Sequence, residues 1–146
     1  MTIRNIFLDT NVLIDTLHSG ESSVYSSLIL SFCRVFTICI SAESFVDIAY
    51  LAGRKRGAPF IPKRIKTLFD YCSILPVNKN TITSATESNC PDFEDAMQIS
   101  CAEEANCDVI VTGNKRHFEK YTTIPVFTPK EFIEKLQEQA ARSDRT

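Results

Sequence analysis

Short runs rich in β-branched and aromatic residues alternate with longer helical patterns along this chain. We predict strands over residues 6–9, 36–41, 74–77, 108–112 and 125–128. The segments between them are long enough for crossover connections, which make neighbouring strands parallel. The alternation therefore predicts an α/β fold in three layers, with helices covering both faces of a mainly parallel sheet.

Carboxylates stand where predicted strands end and predicted helices begin. Asp9 ends the first strand, and Asp92, Glu94 and Asp95 fall at the start of a later helix. Ligands of α/β proteins bind at the carboxyl edge of the sheet. Helix capping is the ordinary alternative, because acids in the first turn satisfy free backbone amides. Three acids in four residues exceed what capping requires and repel one another without a cation, so they favour a divalent metal site.

Asp47 lies in a helical segment that is apolar on most sides. If its side chain turned toward the core, burial would require a metal or a charged partner. A solvated helical acid is the alternative for Asp47 and for Glu43. The predicted strand over 108–112 is followed by polar residues, and Thr112 and Asn114 would share a crevice with Asp9 if the two strands were neighbours.

The chain length fits a single domain, which we place at residues 1–139, with a frayed tail over 140–146. A formal net charge of −2 excludes general attraction to nucleic acid, so RNA contact would need local basic patches. No apolar stretch approaches the roughly 18 residues of a membrane span, and the amino terminus lacks the apolar region of a signal peptide. We therefore expect a cytoplasmic protein without membrane contact.

The six cysteines show no CxxC pair, and several lie inside apolar runs. This pattern favours free thiols in a reducing compartment over disulfides. Cys101, Cys107, His18 and His117 have no recognised zinc-ligand spacing. The chain also lacks a Gly-x-Ser-x-Gly elbow and a phosphate-binding glycine loop.

Several helix boundaries are marked in the sequence. Thr128 before Pro129 predicts the start of the last helix. A loop between two helices is predicted by four residues in the middle of the chain, namely Gly53, Gly57, Pro59 and Pro62. The helical spacing of Val24, Leu28 and Phe32 predicts one apolar stripe of an earlier helix.

Taken together and in this order, the motifs resemble those of the PIN-domain family of metal-dependent ribonucleases, which includes the VapC-type toxins of bacterial toxin–antitoxin pairs. The resemblance covers nearly the whole chain. It rests on Leu8-Asp9-Thr10-Asn11-Val12-Leu13-Ile14-Asp15, Ile40-Ser41 followed by Asp47, Asp92-Phe93-Glu94-Asp95-Ala96, and Val111-Thr112-Gly113-Asn114-Lys115-Arg116-His117-Phe118.

The resemblance implies that Asp9 and Asp95 bind Mg²⁺ or Mn²⁺. Asp92 looks like an auxiliary metal-site acid of a subgroup with an Asp-x-Glu-Asp pattern, and Asp47 stands where the family usually has glutamate. Family members often carry a further acid after the Val-Thr strand, but Asn114 and His117 occupy those positions here. This departure weakens the case for a second metal, and Asn114 can orient water or phosphate but cannot act as a carboxylate base.

We assign substrate contacts to Asn11, Thr112, Lys115 and Arg116, because they flank the predicted acidic edge. A second basic group without acids comprises Arg54, Lys55, Arg56, Lys63, Arg64 and Lys66. A solvated helix-loop-helix face explains that group as well as RNA contact does.

We therefore expect an endoribonuclease dependent on Mg²⁺ or Mn²⁺, and by resemblance a toxin that forms a homodimer and is silenced by an antitoxin protein. One alternative is a PIN-like RNA- or protein-binding domain with weakened catalysis, which Asn114 and His117 would explain. Another is a metal-dependent phosphatase of a different α/β family, although a second aspartate at position 11 would fit that class better.

Overall fold

The fold is known from a computed structural model that describes residues 2–56 and 60–145. Its strands are β1 (Asn5–Leu8), β2 (Thr37–Ser41), β3 (Ser73–Leu75), β4 (Val109–Val111) and β5 (Val126–Phe127). They form one five-stranded sheet in the order β3-β2-β1-β4-β5, and every neighbouring pair is parallel. All predicted strands are confirmed, with ends shifted by up to two residues, because ladder hydrogen bonds rather than apolar residues set where a strand ends.

Helices cover both faces of the sheet, which confirms the predicted three layers. They are α1 (Thr10–Asp15), α2 (Glu21–Ser31), α3 (Ser44–Arg56), α4 (Phe60–Tyr71), α5 (Lys79–Glu87), α6 (Phe93–Glu104), α7 (Lys115–Phe118) and α8 (Pro129–Ser143). Side chains alternate along β1, so Ile6 and Leu8 join the core under α1 to α4 and α8. Phe7 faces the other way, into the core under α6 and α7. Within the described ranges, no helix is long and apolar enough to cross a membrane.

Two residues of the predicted loop lie in helices instead. Gly53 and Pro62 lie inside α3 and α4, whereas Gly57 and Pro59 fall outside the described residues. Pro62 is tolerated because the amides of the first helical turn have no partner within the helix. Helix α8 runs from Pro129 to Ser143, and the domain boundary at residue 139 stays a prediction.

The predicted apolar stripe of α2 faces mainly away from the core. Val24 is 62% exposed and Leu28 38% exposed, whereas Ser23 and Ser26 are buried. Ser26 donates a hydrogen bond from Oγ to Asp15 Oδ2 at 2.9 Å, which links α2 to the end of α1. The buried side of α2 therefore combines this polar contact with the core residue Ile29.

All six cysteines are free thiols, as predicted. The predicted start of the last helix is also confirmed. Thr128 Oγ1 accepts a hydrogen bond from the Glu131 amide at 3.2 Å, and Glu131 Oε2 accepts one from the Thr128 amide at 3.0 Å. This reciprocal capping box fixes the first turn of α8.

Replacing Thr128 with alanine should lower the free energy of unfolding by about 1 kcal/mol, because an amide of the first turn loses its acceptor. Urea denaturation measures the change. Thr123→Ala, at an exposed position in a loop, is the control and should leave stability unchanged. Equal stability of the two variants would contradict the capping role.

Candidate active site

The site lies where the strand order of the sheet reverses. From β1 the chain passes to β2 and β3 on one side of the sheet, and β4 and β5 lie on the other. The register pairs Leu8 with Val111, so the next residues, Asp9 and Thr112, emerge side by side. Such a reversal opens a crevice at the carboxyl ends of the strands. Thr112 Oγ1 donates a hydrogen bond to Asp9 Oδ2 at 2.8 Å, which confirms that the two predicted strands are neighbours.

The Asp9 carboxyl is buried in this crevice and is 5% exposed. Asp9 occupies the N-cap position of α1, yet its side chain makes no capping hydrogen bond. Burial raises the pKa of Asp9 to about 7, the Thr112 hydrogen bond opposes the shift, and the charges of Asp95 and Glu94 add to it. Capping is therefore not the role of this carboxylate, which is held near two other acids.

The first turn of α6 supplies those acids. Asp92 Oδ1 accepts a hydrogen bond from the Asp95 amide at 3.0 Å, so the capping interpretation is correct for Asp92. Burial and the nearby Asp92 raise the pKa of Asp95, whereas His117 lowers it. His117 Nδ1 lies 3.9 Å from Asp95 Oδ2.

A second acidic group adjoins the first and includes residues that the sequence analysis did not assign. Burial raises the pKa of Glu94, and the charges of Asp47 and Glu43 raise it further. Burial also raises the pKa of Glu43, although Gln98 Nε2 donates a 2.6 Å hydrogen bond to its Oε1. Asp47, a predicted site residue, therefore lies close enough to Glu94 to affect its charge. Glu43 and Gln98 are site residues that were not predicted.

Two sequence signals could have indicated these additions. Glu43 stands two residues beyond the end of β2, at the same edge of the sheet as Asp9. Gln98 is the one amide side chain in a buried stretch of α6 that runs from Ala96 to Ala102, and it lies one turn after Glu94. Gln98 Oε1 is buried without a hydrogen-bond partner. Burying an amide oxygen without a partner costs free energy, so Gln98 is a polar residue that packing alone does not explain.

The donor chemistry of the site fits a hard divalent cation. Among the residues that the structure describes, no three His, Cys, Asp or Glu side chains converge closely enough to hold a metal. Asp9 and Asp95 nevertheless present carboxyl groups from separate elements, and burial and neighbouring acids disfavour the charged form of each. A bound cation would offset the free-energy cost of ionising both carboxyl groups. Mg²⁺ and Mn²⁺ prefer oxygen ligands of this kind.

The predicted substrate contacts separate into two groups. Asn11 Oδ1 accepts a hydrogen bond from the Gly113 amide at 3.2 Å, and the Asn114 amide donates to Thr112 Oγ1 at 3.0 Å. Asn11 and Thr112 thus hold the loop after β4, while Asn114 is exposed. Lys115 Nζ lies 3.1 Å from Glu131 Oε2, toward α8. Arg116 instead lines a cavity with acids of the site, Asp92 and Asp95.

The second basic group lies on α3 and α4. Arg54 stacks on the Tyr50 ring at 5.7 Å from its centroid. Arg64 is half-buried and donates a 2.6 Å hydrogen bond to Thr16 Oγ1, which gives it a structural role. Lys63 and Lys66 are exposed, whereas the side chains of residues 55 and 56 lie outside the described part of the chain.

The raised pKa of Asp9 makes the stability of the protein depend on pH. Because this pKa is above that of the unfolded chain, the native state binds more protons between about pH 4 and pH 7, and stability falls as the pH rises through this window. Asp9→Asn cannot ionise, so with a chelator present it should be more stable than the wild type at pH 8, by about 1–4 kcal/mol.

Urea denaturation at pH 4 and pH 8 measures this difference. At pH 4 the two proteins should be close in stability, because Asp9 is then largely protonated in the native state. Asp70→Asn, at an exposed position of α4, is the control and should show no comparable gain. A destabilised Asp9→Asn variant at pH 8 would mean that the buried carboxylate is not under electrostatic stress.

Solved structures of similar fold come from bacterial toxin–antitoxin systems. The VapBC2 complex of Rickettsia felis, bound to a DNA fragment of its promoter, gives a TM-score of 0.67 at 17% identity over 85% of this chain and 98% of that chain. DNA-bound VapBC of Salmonella typhimurium gives a TM-score of 0.65 at 19% identity, over 87% of this chain and 99% of that chain. VapC20 of Mycobacterium tuberculosis is a toxin that cleaves the sarcin-ricin loop. It gives a TM-score of 0.57 at 12% identity, over 72% of this chain and 86% of that chain.

No curated protein sequence is detectably similar to this chain. The sequence model of the PIN domain, however, matches residues 5–116. The matched range begins at β1 and ends in α7, so it includes Asp9, Asp47 and the acids of α6. Because this match covers most of the sequence, and because the parallel sheet is shared with the VapC proteins, the chain belongs to the PIN-domain family.

Proposed function

We propose that the protein is an endoribonuclease that hydrolyses RNA phosphodiester bonds with Mg²⁺ or Mn²⁺, and that it is the toxin of a toxin–antitoxin pair. The observation that carries this proposal is the buried Asp9 carboxyl at the reversal of the strand order, facing Asp95 and Glu94 of α6. Membership of the PIN-domain family supports nuclease chemistry. The six free thiols support a reducing compartment such as the cytoplasm.

Hydrolysis of a phosphodiester needs an activated water and stabilisation of the charge that develops on the phosphate. A bound divalent cation would supply both, by acidifying water and polarising the phosphoryl oxygen. In our proposal Asp9 and Asp95 hold the cation. Thr112 orients the Asp9 carboxylate through its hydrogen bond, and Asp92 orients Asp95 by capping α6 at the Asp95 amide.

In our proposal Glu94, in the first turn of α6 next to Asp95, accepts the proton of the attacking water. Burial and the charges of Asp47 and Glu43 raise its pKa, and a raised pKa makes a carboxylate a stronger base. In this scheme Asp47 and Glu43 tune Glu94. Gln98 fixes the orientation of Glu43 through the hydrogen bond to Oε1.

The phosphate itself would be contacted from the loop and helix that follow β4. Arg116 lines the cavity beside the acids and carries a positive charge toward the substrate. Lys115 is neutralised by Glu131, so Arg116 rather than Lys115 is the proposed phosphate contact. Asn114 is exposed at the start of α7, where it can orient water or a phosphate oxygen.

One observation favours a second candidate function, a PIN-like binding domain without catalysis. His117 stands 3.9 Å from Asp95. A protonated imidazole there would neutralise Asp95 in place of a metal. Such a domain would bind RNA or protein without cutting RNA.

Asp9→Asn and Asp95→Asn should each lower metal-dependent cleavage by roughly a hundredfold or more, because each removes a proposed ligand. The measurement uses a structured RNA pool with Mg²⁺ or Mn²⁺ and a chelator control. Asp70→Asn should keep full activity. Cleavage by either Asn variant at the rate of the wild type would contradict the assignment. A folded wild type that is inactive with every metal and RNA would favour the binding domain.

We also propose that a small antitoxin protein binds this chain and that the chain forms a homodimer. The similar structures of Rickettsia felis and Salmonella typhimurium are complexes of VapB with VapC, which supports an antitoxin partner. Exposed apolar side chains support a protein interface on α3, where Val46 is 71% exposed and Tyr50 64% exposed.

Expression of the wild type alone should arrest bacterial growth, and co-expression of the product of an adjacent small gene should restore it. Asp9→Asn should be harmless at the same protein level, because toxicity would come from cleavage. Growth curves with matched immunoblots measure both effects. Normal growth with abundant folded wild type would contradict the toxin role, and light scattering of the purified chain tests the homodimer.

A further inference from the structure

The first residues of α1 and α3 form a buried hydrogen bond beside the candidate active site. Thr10 begins α1 and Ser44 begins α3, and both side chains are buried. Thr10 Oγ1 and Ser44 Oγ lie 2.7 Å apart. Because β1 and β2 are parallel neighbours, the two helices that follow them begin at the same edge of the sheet. The bond therefore joins the starts of the two helices at the edge that carries the acids.

Acids of the site stand next to both ends of this bond. Asp9 immediately precedes Thr10. Asp47 stands one helical turn beyond Ser44. The Thr10 amide also opposes the rise in the pKa of the Asp9 carboxyl, while Thr112 donates a hydrogen bond to that carboxyl from the end of β4. Asp9 is therefore held between the β4 side of the crevice and a residue that is bonded to α3.

Apolar packing accounts for the association of α1 with α3. Val12 and Leu13 of α1 and Ile48 of α3 belong to one buried core. A buried hydroxyl pair adds little net stability, because folding exchanges hydrogen bonds with water for one within the protein. The pair does fix the distance between the two helix starts, because a shift of either helix would leave a buried hydroxyl without its partner.

We propose that Thr10 and Ser44 are positioning residues, which hold the Asp9 carboxyl at a fixed place relative to α3 so that it can bind the divalent cation. The inference rests on the proposed function and adds two residues that act through Asp9. Groups that orient a metal ligand typically change metal affinity by roughly ten- to a hundredfold when they are removed. Loss of either hydroxyl should therefore weaken cation binding although every proposed ligand is kept.

The test is calorimetric titration of the whole protein with Mn²⁺. Thr10→Val and Ser44→Ala should each weaken Mn²⁺ affinity by about tenfold. Thr10→Ser should bind Mn²⁺ like the wild type, because it retains the hydroxyl. Ser26→Ala is the matched control, since it removes a buried hydroxyl that bonds to Asp15 at the opposite end of α1. This control should leave Mn²⁺ affinity unchanged.

The double variant Thr10→Val/Ser44→Ala shows whether the two hydroxyls act together. It should bind Mn²⁺ about as weakly as either single variant, because both substitutions break the same bond. In cleavage assays the Mn²⁺ concentration that gives the half-maximal rate should rise by a similar factor, while KM for RNA at saturating Mn²⁺ stays unchanged. Additive losses of affinity in the double variant would contradict a shared role.

The outcomes separate this inference from the proposed function. Wild-type Mn²⁺ affinity in both Thr10→Val and Ser44→Ala, from a protein that cleaves RNA, would overturn the positioning role and leave the nuclease assignment intact. An equal loss of affinity in Ser26→Ala would also overturn it, because the effect would then come from stability. A wild type that neither binds Mn²⁺ nor cleaves RNA would overturn both. If urea denaturation shows that Thr10→Val does not fold, Ser44→Ala decides the outcome, because it removes one hydroxyl and adds no bulk.

Discussion

The pairing of β1 with β4 is the constraint on which the rest of the site depends. It brings residues more than a hundred positions apart into register, with Leu8 opposite Val111, and so sets Asp9 against Thr112. Parallel pairing with long crossovers leaves the strand ends free of tight turns, which is why a crevice exists at this edge. Helix α6 then needs only to begin near the crevice for its acids to reach Asp9.

Local patterns made most of the fold predictable. Apolar strands, the helix start at Thr128 and the free cysteines all depend on short segments of sequence, and all were confirmed. The buried face of α2 was not predictable in this way, because it contains Ser26, whose hydroxyl is hydrogen-bonded to Asp15 of another helix. The spacing of apolar residues along one helix contains no information about a hydrogen-bond partner on another helix.

The candidate site was predictable to the extent that its residues sit at strand ends and helix starts. The pattern indicated Asp9 and the acids at the start of α6, and the resemblance to the PIN-domain family singled out Asp9 and Asp95 among them. The structure brings the charges of these two residues together. Glu43 was passed over because an acid after a strand looks the same whether it is solvated or held by a buried amide, and only the contact with Gln98 distinguishes the two. Lys115 and Arg116 are adjacent in sequence, and the position of α8 separates their roles.

Glu131 has two roles, because the same Oε2 atom accepts from the Thr128 amide and from Lys115. A single carboxylate therefore links the N-cap of α8 to Lys115, the first residue of α7. This helix lies on the opposite face of the sheet from α6, outside the acidic crevice. A substitution at Glu131 would therefore release both the start of the last helix and Lys115, from the face of the sheet opposite α6, without touching a residue of the acidic crevice.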